Sequence, residues 1–202
     1  MAESATEICN LALTHLGSTV EIEDLDDEGS DEAIICRRVF ANTRDAVLRD
    51  FHWPFATKIQ ALGLVEEDPN SEWAYSYRTP SDCLNVRRIL SGIRNDSRQS
   101  RVPYRIGQDV QGELIFTDKE DAELEYTTRI TDVVRFPADF VNALALRVAA
   151  YIAPKLTAGD PFKLGERALQ LYLREISNAQ ANAANEEQAE EPVESEFIRG
   201  RE

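Results

Sequence analysis

The residues whose types could do chemistry are two histidines, three cysteines and 37 acidic residues. His52 is the most suggestive, because it lies in the stretch RDFHWPFA among three aromatic residues and a proline. A histidine in such surroundings could act as a general acid or base. The stretch therefore has two alternative interpretations, a reactive site around His52 or an anchor where a helix ends and the chain turns.

The local sequence favours the anchor. A residue that precedes proline is pushed out of the helical region of backbone space, so Pro54 predicts that the preceding helix ends near His52. The aromatic side chains would then fill the gap between the helix end and the chain that follows. We predict a structural anchor and a packed, non-catalytic His52; the anchor residues are Phe51, Trp53, Pro54 and Phe55.

The other candidates for chemistry are weak. The nine glycines are scattered and form no phosphate-binding loop, and no Cys or His pair has the spacing of metal ligands. The cysteines are odd in number and widely spaced, which favours buried thiols in a reducing compartment over disulfides. We expect no catalytic, cofactor-binding or metal-binding residues, no cofactor and no enzymatic activity. Because carboxylates are so plentiful, a carboxylate pair for glycan hydrolysis remains an alternative.

The net charge of −15 is concentrated in two segments. Residues 21–32 contain eight acidic residues and no basic one, and residues 186–202 contain seven acidic residues against Arg199 and Arg201. The rest of the chain is nearly balanced, so no basic face is available for specific binding of nucleic acid. The acidic segments are either a solvated linker and tail, or acidic surface placed where an anion must not bind.

Helix signals recur along the chain. Ser4 and Ser30 read as N-caps and Gly17 as a helix stop, while Pro137 and Pro161 fit first helical positions. Residues 140–153 are apolar nearly all round, which predicts the most buried helix. That tract is too short to span a membrane, and no secretory signal is evident at the amino terminus. The predicted helices cover residues 4–16, 31–52, 138–156 and 161–180.

Alternating residues from 72 to 131 predict four or five short strands joined by turns. The predicted fold is α+β and mainly α: a four-helix bundle with an inserted antiparallel β-meander over residues 72–131. Residues 1–185 form one domain, and residues 186–202 form an acidic, flexible carboxy-terminal tail. An apolar and basic patch in this tail is a candidate docking peptide for a partner, with a solubilising tail as the alternative; its residues are Phe197, Ile198, Arg199 and Arg201.

The order of several stretches resembles the tail tubular protein A, or head-to-tail adaptor, family of short-tailed bacteriophages. The likeness runs in register over residues 8–153. Its stretches are ICNLALTHLG (8–17), Ala33 with Cys36, RDAVL (44–48), WPFA (53–56), WAYSYRTPSDCL (73–84) and FPADFVNALALRVAAYIA (136–153).

This resemblance implies a structural protein of the virion tail that is assembled in the host cytoplasm. Such adaptors form a ring of twelve copies beneath the portal protein, extend the DNA channel and dock the tail nozzle protein, and they need no membrane. Genomic DNA passes through the lumen without specific binding, which an acidic wall would favour. A virion-associated peptidoglycan hydrolase that uses paired carboxylates is the alternative function.

Overall fold

The computed structural model describes residues 4–27, 29–93 and 101–186, with the backbone alone for residues 184–186. Within these ranges the chain forms four α-helices, seven β-strands and two 3₁₀ turns, at Pro54–Ala56 and Val133–Arg135. The helices are α1 (Ala5–His15), α2 (Asp31–Asp50), α3 (Ala138–Leu156) and α4 (Leu164–Glu186). The strands are β1 (Thr57–Ala61), β2 (Gly63–Glu67), β3 (Tyr75–Arg78), β4 (Cys83–Ile89), β5 (Tyr104–Asp109), β6 (Gly112–Thr117) and β7 (Glu123–Thr128).

Local sequence fixes both ends of α1. The Ser4 hydroxyl accepts a hydrogen bond from the Glu7 amide at 3.2 Å, which confirms Ser4 as the N-cap. At the other end Gly17 has a φ of +74°. Its amide donates to the Thr14 carbonyl at 3.0 Å and the Ser18 amide donates to the Leu13 carbonyl at 3.1 Å, which are the two hydrogen bonds of a Schellman motif. The predicted helix stop at Gly17 is therefore confirmed.

Helix α3 lies at the centre of the helical part of the molecule. Ten of its 19 side chains are buried, and α1, α2 and α4 each pack against it. A helix that is apolar nearly all round has to be enclosed by its neighbours, and these three helices enclose it. Gly165 lets α4 approach closely, because a Cβ there would lie 3.0 Å from the Ala153 Cβ and 3.1 Å from the Ala150 carbonyl oxygen.

The predicted mainly α four-helix bundle is wrong. In such a bundle the helices surround a shared core, whereas here α3 itself fills the centre and the other three helices are arranged around it. The described residues also form two antiparallel sheets, so the protein has an α+β fold. The apolar surface of α3 extends to all sides, and this is the physical reason that a symmetrical four-helix arrangement does not form.

The predicted meander is also wrong. One sheet has the strand order β1-β7-β4 and the other has the order β2-β3-β6-β5, so most neighbours in space are not neighbours in sequence. The strands begin at Thr57 rather than at residue 72. Strands β1 and β2 are edge strands whose side chains are almost all exposed, and their sequence therefore lacks the alternation that marks a half-buried strand.

A second apolar core lies between the two sheets. Tyr77 and Ile115 enter it from the four-stranded sheet, and Leu124 and Tyr126 enter it from β7 of the three-stranded sheet. These four side chains are at most 2% exposed. The two sheets therefore share a core that is separate from the helical core.

Helix α4 begins at Leu164 rather than at residue 161, and Pro161 lies in the preceding turn. Asp160 still caps the helix, because its carboxylate accepts hydrogen bonds from the amides of Leu164 at 2.6 Å and Gly165 at 2.8 Å. The backbone of Asp160 and Lys163 adopts positive φ values of 60° and 55°, which bends the chain so that the carboxylate can reach these amides.

We predict that Asp160→Ala lowers the free energy of unfolding by about 1 kcal/mol, because two amides at the start of α4 lose their acceptor. Urea unfolding measures the change, and Asp160→Asn, which keeps an acceptor oxygen, should retain part of the stability. An Asp160→Ala variant as stable as the parent would contradict this role.

Candidate functional site

The predicted anchor lies where α2 ends and the chain turns toward the first sheet. Phe51 has an extended backbone, with φ −137° and ψ 154°, and Trp53 precedes the 3₁₀ turn Pro54–Ala56. The Trp53 Nε1 donates a hydrogen bond back to the Val47 carbonyl at 2.9 Å, one of the carbonyls left over at the end of α2. The indole therefore both fills space and satisfies the helix terminus.

The aromatic rings of this segment pack against α3. The ring of Trp53, only 3% exposed, meets Phe140 edge-on at a centroid distance of 5.1 Å and Phe51 at 5.0 Å. The ring of Phe55 meets Phe140 at 5.1 Å and Phe136 at 6.1 Å. Edge-to-face contacts of this kind stabilise a cluster beyond the area they bury. We call these five rings the aromatic cluster; Pro54 lies beside it, exposed, and contributes the turn of the backbone.

His52 lies beside the aromatic cluster and faces the three-stranded sheet. Its Nε2 is 3.5 Å from Glu125 Oε1, and Arg88 donates from Nε to Glu125 Oε2 at 2.8 Å. Glu125 is a buried carboxylate, only 7% exposed, so its pairing with a cation offsets the cost of removing it from water. Arg87 adds a second link, because its Nη2 donates to the Phe51 carbonyl at 3.0 Å. These groups connect the end of α2 to the sheet.

The stretch TPSD forms a turn that is tied to the same sheet through Asp82. The Asp82 carboxylate accepts hydrogen bonds from the Tyr126 hydroxyl at 2.9 Å, from the Thr128 hydroxyl at 2.9 Å and from Lys58 Nζ at 3.0 Å. One carboxylate thus joins β1, β7 and the turn before β4. These hydrogen bonds give Asp82 a structural role and fix the start of β4.

A groove with a volume of about 560 Å³ lies beside this turn; its lining includes Gln60, Arg78, Thr79, Cys83 and Glu113. In the part of the chain that the structure describes, Glu113 is the one carboxylate that lines the groove. Burial raises the pKa of the Cys83 thiol to about 11, so this thiol is protonated at neutral pH and is a poor nucleophile.

The other two cysteines lie side by side, and a hydrogen bond between their thiols raises the pKa of Cys9 and lowers that of Cys36. Cys9 and Cys36 are fully buried in the helical core, which confirms that they act as small apolar side chains. Among residues 4–27, 29–93 and 101–186, no group of three or more His, Cys, Asp and Glu side chains could hold a metal ion. Over the same ranges, no helix is both long and apolar enough to cross a membrane.

The first acidic segment is fixed to the helices. The Asn10 side chain donates to the Ile22 carbonyl and accepts from the Ile22 amide, both at 2.9 Å. The Leu25 amide donates to the Thr6 hydroxyl at 3.2 Å, and Arg37 Nε donates to the Leu25 carbonyl at 2.7 Å. The side chains of Ile22 and Leu25 are buried. The backbone of this segment is therefore held at two points.

The carboxylates around these two points face solvent. We call residues 21–27 the acidic rim; its exposed acidic side chains are Glu21, Glu23, Asp24, Asp26 and Asp27. Sequence reasoning missed the hydrogen bonds from Asn10 and Thr6 to this segment. It therefore also missed that the backbone of the acidic rim has a fixed position. The signal was present in Ile22 and Leu25, two apolar residues three apart inside an otherwise acidic run.

The docking residues predicted in the tail lie outside the described residues; they are Phe197, Ile198, Arg199 and Arg201. The structure therefore brings the anchor residues together with His52 and Glu125. The docking role of the tail stays a prediction.

Comparisons with known proteins add no relative, since no family model matches the chain and no curated protein matches it. The function is therefore inferred from the residues, their geometry and the resemblance of the sequence stretches.

We predict that Trp53→Ala lowers the free energy of unfolding by about 3–5 kcal/mol, because it leaves a cavity between Phe51 and Phe140 and removes a helix-terminal hydrogen bond. Phe162→Ala is the matched control, since that ring is 81% exposed and its loss should change the free energy by less than about 0.5 kcal/mol. Urea unfolding compares the two. Equal effects would show that Trp53 is not an anchor.

We also predict a pH-dependent contribution from Asp109. Hydrogen bonds from Arg78, with both oxygens at 2.7 Å, lower the pKa of the Asp109 carboxyl to about 2 from its ordinary value of 3.8. A lowered pKa in the folded state means that the ionised form stabilises the fold above pH 3.8, and that this contribution disappears as the pH falls toward 2.

The measurement is the difference in unfolding free energy between the parent and Asp109→Asn, followed from neutral pH downward. The difference should be constant near neutral pH and should shrink as the pH falls from 3.8 toward 2. A difference that does not change over that interval would contradict the role of the Arg78–Asp109 pair.

Proposed function

We propose that this protein is a ring-forming head-to-tail adaptor, a structural protein of the tail of a short-tailed bacteriophage. In this role twelve copies join the portal protein to the tail nozzle protein and extend the DNA channel. The ring is assembled in the host cytoplasm and acts in the virion. The protein contributes surfaces, and we propose no catalytic residue and no cofactor for it.

The first support is where in the fold the stretches that resemble the adaptor family lie. The stretch ICNLALTHLG covers most of α1, WPFA supplies the anchor, and residues 136–153 supply α3 with two rings of the aromatic cluster. The stretch WAYSYRTPSDCL runs through β3 and the Asp82 turn into β4. The resemblance therefore falls on the packed framework of the chain rather than on scattered surface positions.

The observation that carries the proposal is the fixed acidic rim. A channel that lets DNA slide has to present negative charge at a defined place, because duplex DNA carries one negative charge per roughly 1.7 Å of its axis and binds to basic surfaces. The rim offers this property, since Asn10, Thr6 and Arg37 hold its backbone while its carboxylates face solvent. A free acidic linker would not keep its charges on one surface of a ring.

The experiment is the removal of this protein from the phage that encodes it. Without the adaptor, heads should fill with DNA but should carry no tail nozzle, because nothing joins the nozzle to the portal. Complementation with the full chain should restore tailed particles. Normal tails in its absence would contradict the proposal, and clearing of peptidoglycan by the purified chain in a zymogram would favour the hydrolase instead.

We predict that reversing the charge of the rim slows DNA release. The variant Glu21→Lys, Asp26→Lys and Asp27→Lys places three cations on the exposed surface, where they would attract the DNA backbone. The matched control replaces the same residues by Gln, Asn and Asn, and its effect should be smaller. Release is measured by dye entry into opened particles, with tail attachment checked by electron microscopy.

Equal release rates for the parent, the neutral variant and the lysine variant would contradict a channel-facing rim. Loss of tails in both variants would instead assign the rim to assembly.

A further inference from the structure

In the part of the chain that the structure describes, β2 and β5 are the two edge strands of the four-stranded sheet. Among the described residues β2 pairs only with β3, and β5 pairs only with β6. Every residue of β2 is exposed, and β5 has three exposed and three half-buried residues. An edge strand presents unpaired N–H and C=O groups, which pair readily with another strand. Such edges need either protection or a partner.

The strand directions allow the two edges to meet head to tail. All neighbours in the order β2-β3-β6-β5 are antiparallel, so β2 and β5 run in opposite directions. A copy related by the small rotation of a ring presents its β2 in the same direction as the first copy and therefore antiparallel to β5. The three-stranded sheet would meet its neighbour in parallel fashion instead, because its outer strands run in the same direction.

The register across the sheet gives the edges complementary apolar groups. Leu64 on β2 pairs with Tyr77, Tyr77 pairs with Ile115, and Ile115 pairs with Ile106 on β5. The two central side chains of this row are buried, whereas Leu64 is 51% exposed and Ile106 is 47% exposed. A neighbouring copy in the same register would place Leu64 beside Ile106 and cover both, which extends the apolar row from one copy to the next.

The next row gives the edges complementary charges. Glu66 on β2 pairs with Ser76, Ser76 pairs with Phe116, and Phe116 pairs with Arg105 on β5. Because a β-bulge separates Leu64 from Glu66, this row stays aligned between copies only if the pairing of β2 with β5 repeats the bulge. The repeated bulge brings Glu66 of one copy opposite Arg105 of the next. Within one copy, Arg105 makes an ion pair with Glu72 at 3.3 Å. Both side chains are about two-thirds exposed, so replacing Glu72 by Glu66 of a neighbouring copy costs little free energy.

The end row has a glycine at each edge of the sheet. Gly63 on β2 and Gly107 on β5 lie in one row, through Arg78 and Leu114. Neither glycine has a side chain, so this row adds no side-chain contact between copies. Gly107 cannot be replaced freely, because a Cβ there would lie 2.5 Å from the Phe116 ring.

We propose that β2 of one copy pairs antiparallel with β5 of the next, so that the four-stranded sheets join into a continuous sheet around the ring. The inference rests on the proposed ring and names the surfaces that build it. The charges also select this arrangement, since pairing of β2 with a second β2 would bring Glu66 and Glu67 near their own copies. An interface between two different surfaces repeats head to tail, and it forms a ring when the rotation from copy to copy closes.

Charge reversal and charge exchange test the pairing. Glu66→Arg and Arg105→Glu should each weaken self-association of the full chain about tenfold or more, because like charges then face each other. The double variant restores opposite charges, and its association constant should return to within about threefold of the parent. Glu21→Arg, an exposed reversal on the rim, is the control. Mass photometry over a concentration series measures the association.

Cross-linking tests the register. Leu64→Cys and Ile106→Cys, combined in a Cys83→Ser background, should give a ladder of covalent oligomers after mild oxidation of the full chain. A mixture of the two single variants should give dimers between the variants and no ladder. The control pair Leu64→Cys with Val134→Cys uses a more exposed position on a 3₁₀ turn and should still give no ladder.

The outcomes separate the two proposals. Chains that associate but are indifferent to charge reversal, and form no ladder, would overturn the edge pairing and leave the ring in place. Chains that associate neither in solution nor in tailed particles would contradict the ring and the edge pairing together.

Discussion

The contact between Trp53 and Phe140 is the interaction on which the rest of the structure depends. It joins the end of α2 to the central helix α3 at a centroid distance of 5.1 Å, and it sets the direction in which the chain leaves toward the sheets. The ion pair of Arg88 with Glu125 and the bond from Arg87 to the Phe51 carbonyl then fix the sheet to this corner. The helical core and the sheet core are thus held together around one aromatic cluster.

Local cues in the sequence predicted what local interactions determine. Ser4 and Ser30 cap their helices as expected, and Gly17 ends α1, because each of these roles needs only a few neighbouring residues. The apolar surface of α3 was recognised, but its consequence, three helices packed around one, depends on contacts far apart in sequence. Strands β1 and β2 were missed because edge strands exposed on both faces carry no alternating pattern.

The candidate site was predicted in part for the same reasons. The aromatic composition of the stretch around Trp53 was enough to predict the anchor. The partner of His52 could not be predicted in this way, because Glu125 is more than seventy positions away and on another element. The clamp on the acidic rim joins Asn10 to Ile22 through side-chain and backbone atoms, a pairing that no local pattern marks. In the fold this acidic run is a surface with a fixed position. The proposed function depends on that fixed position, which the sequence alone does not show.

The proposed function rests on contact and shape rather than on making or breaking bonds, and cryo-electron microscopy of the assembled protein at side-chain resolution tests this most directly. The account predicts copies around a pore, with residues 21–27 on the inner wall and Leu64 of each copy beside Ile106 of the next. Single chains or twofold pairs with the acidic rim on the outside would contradict it.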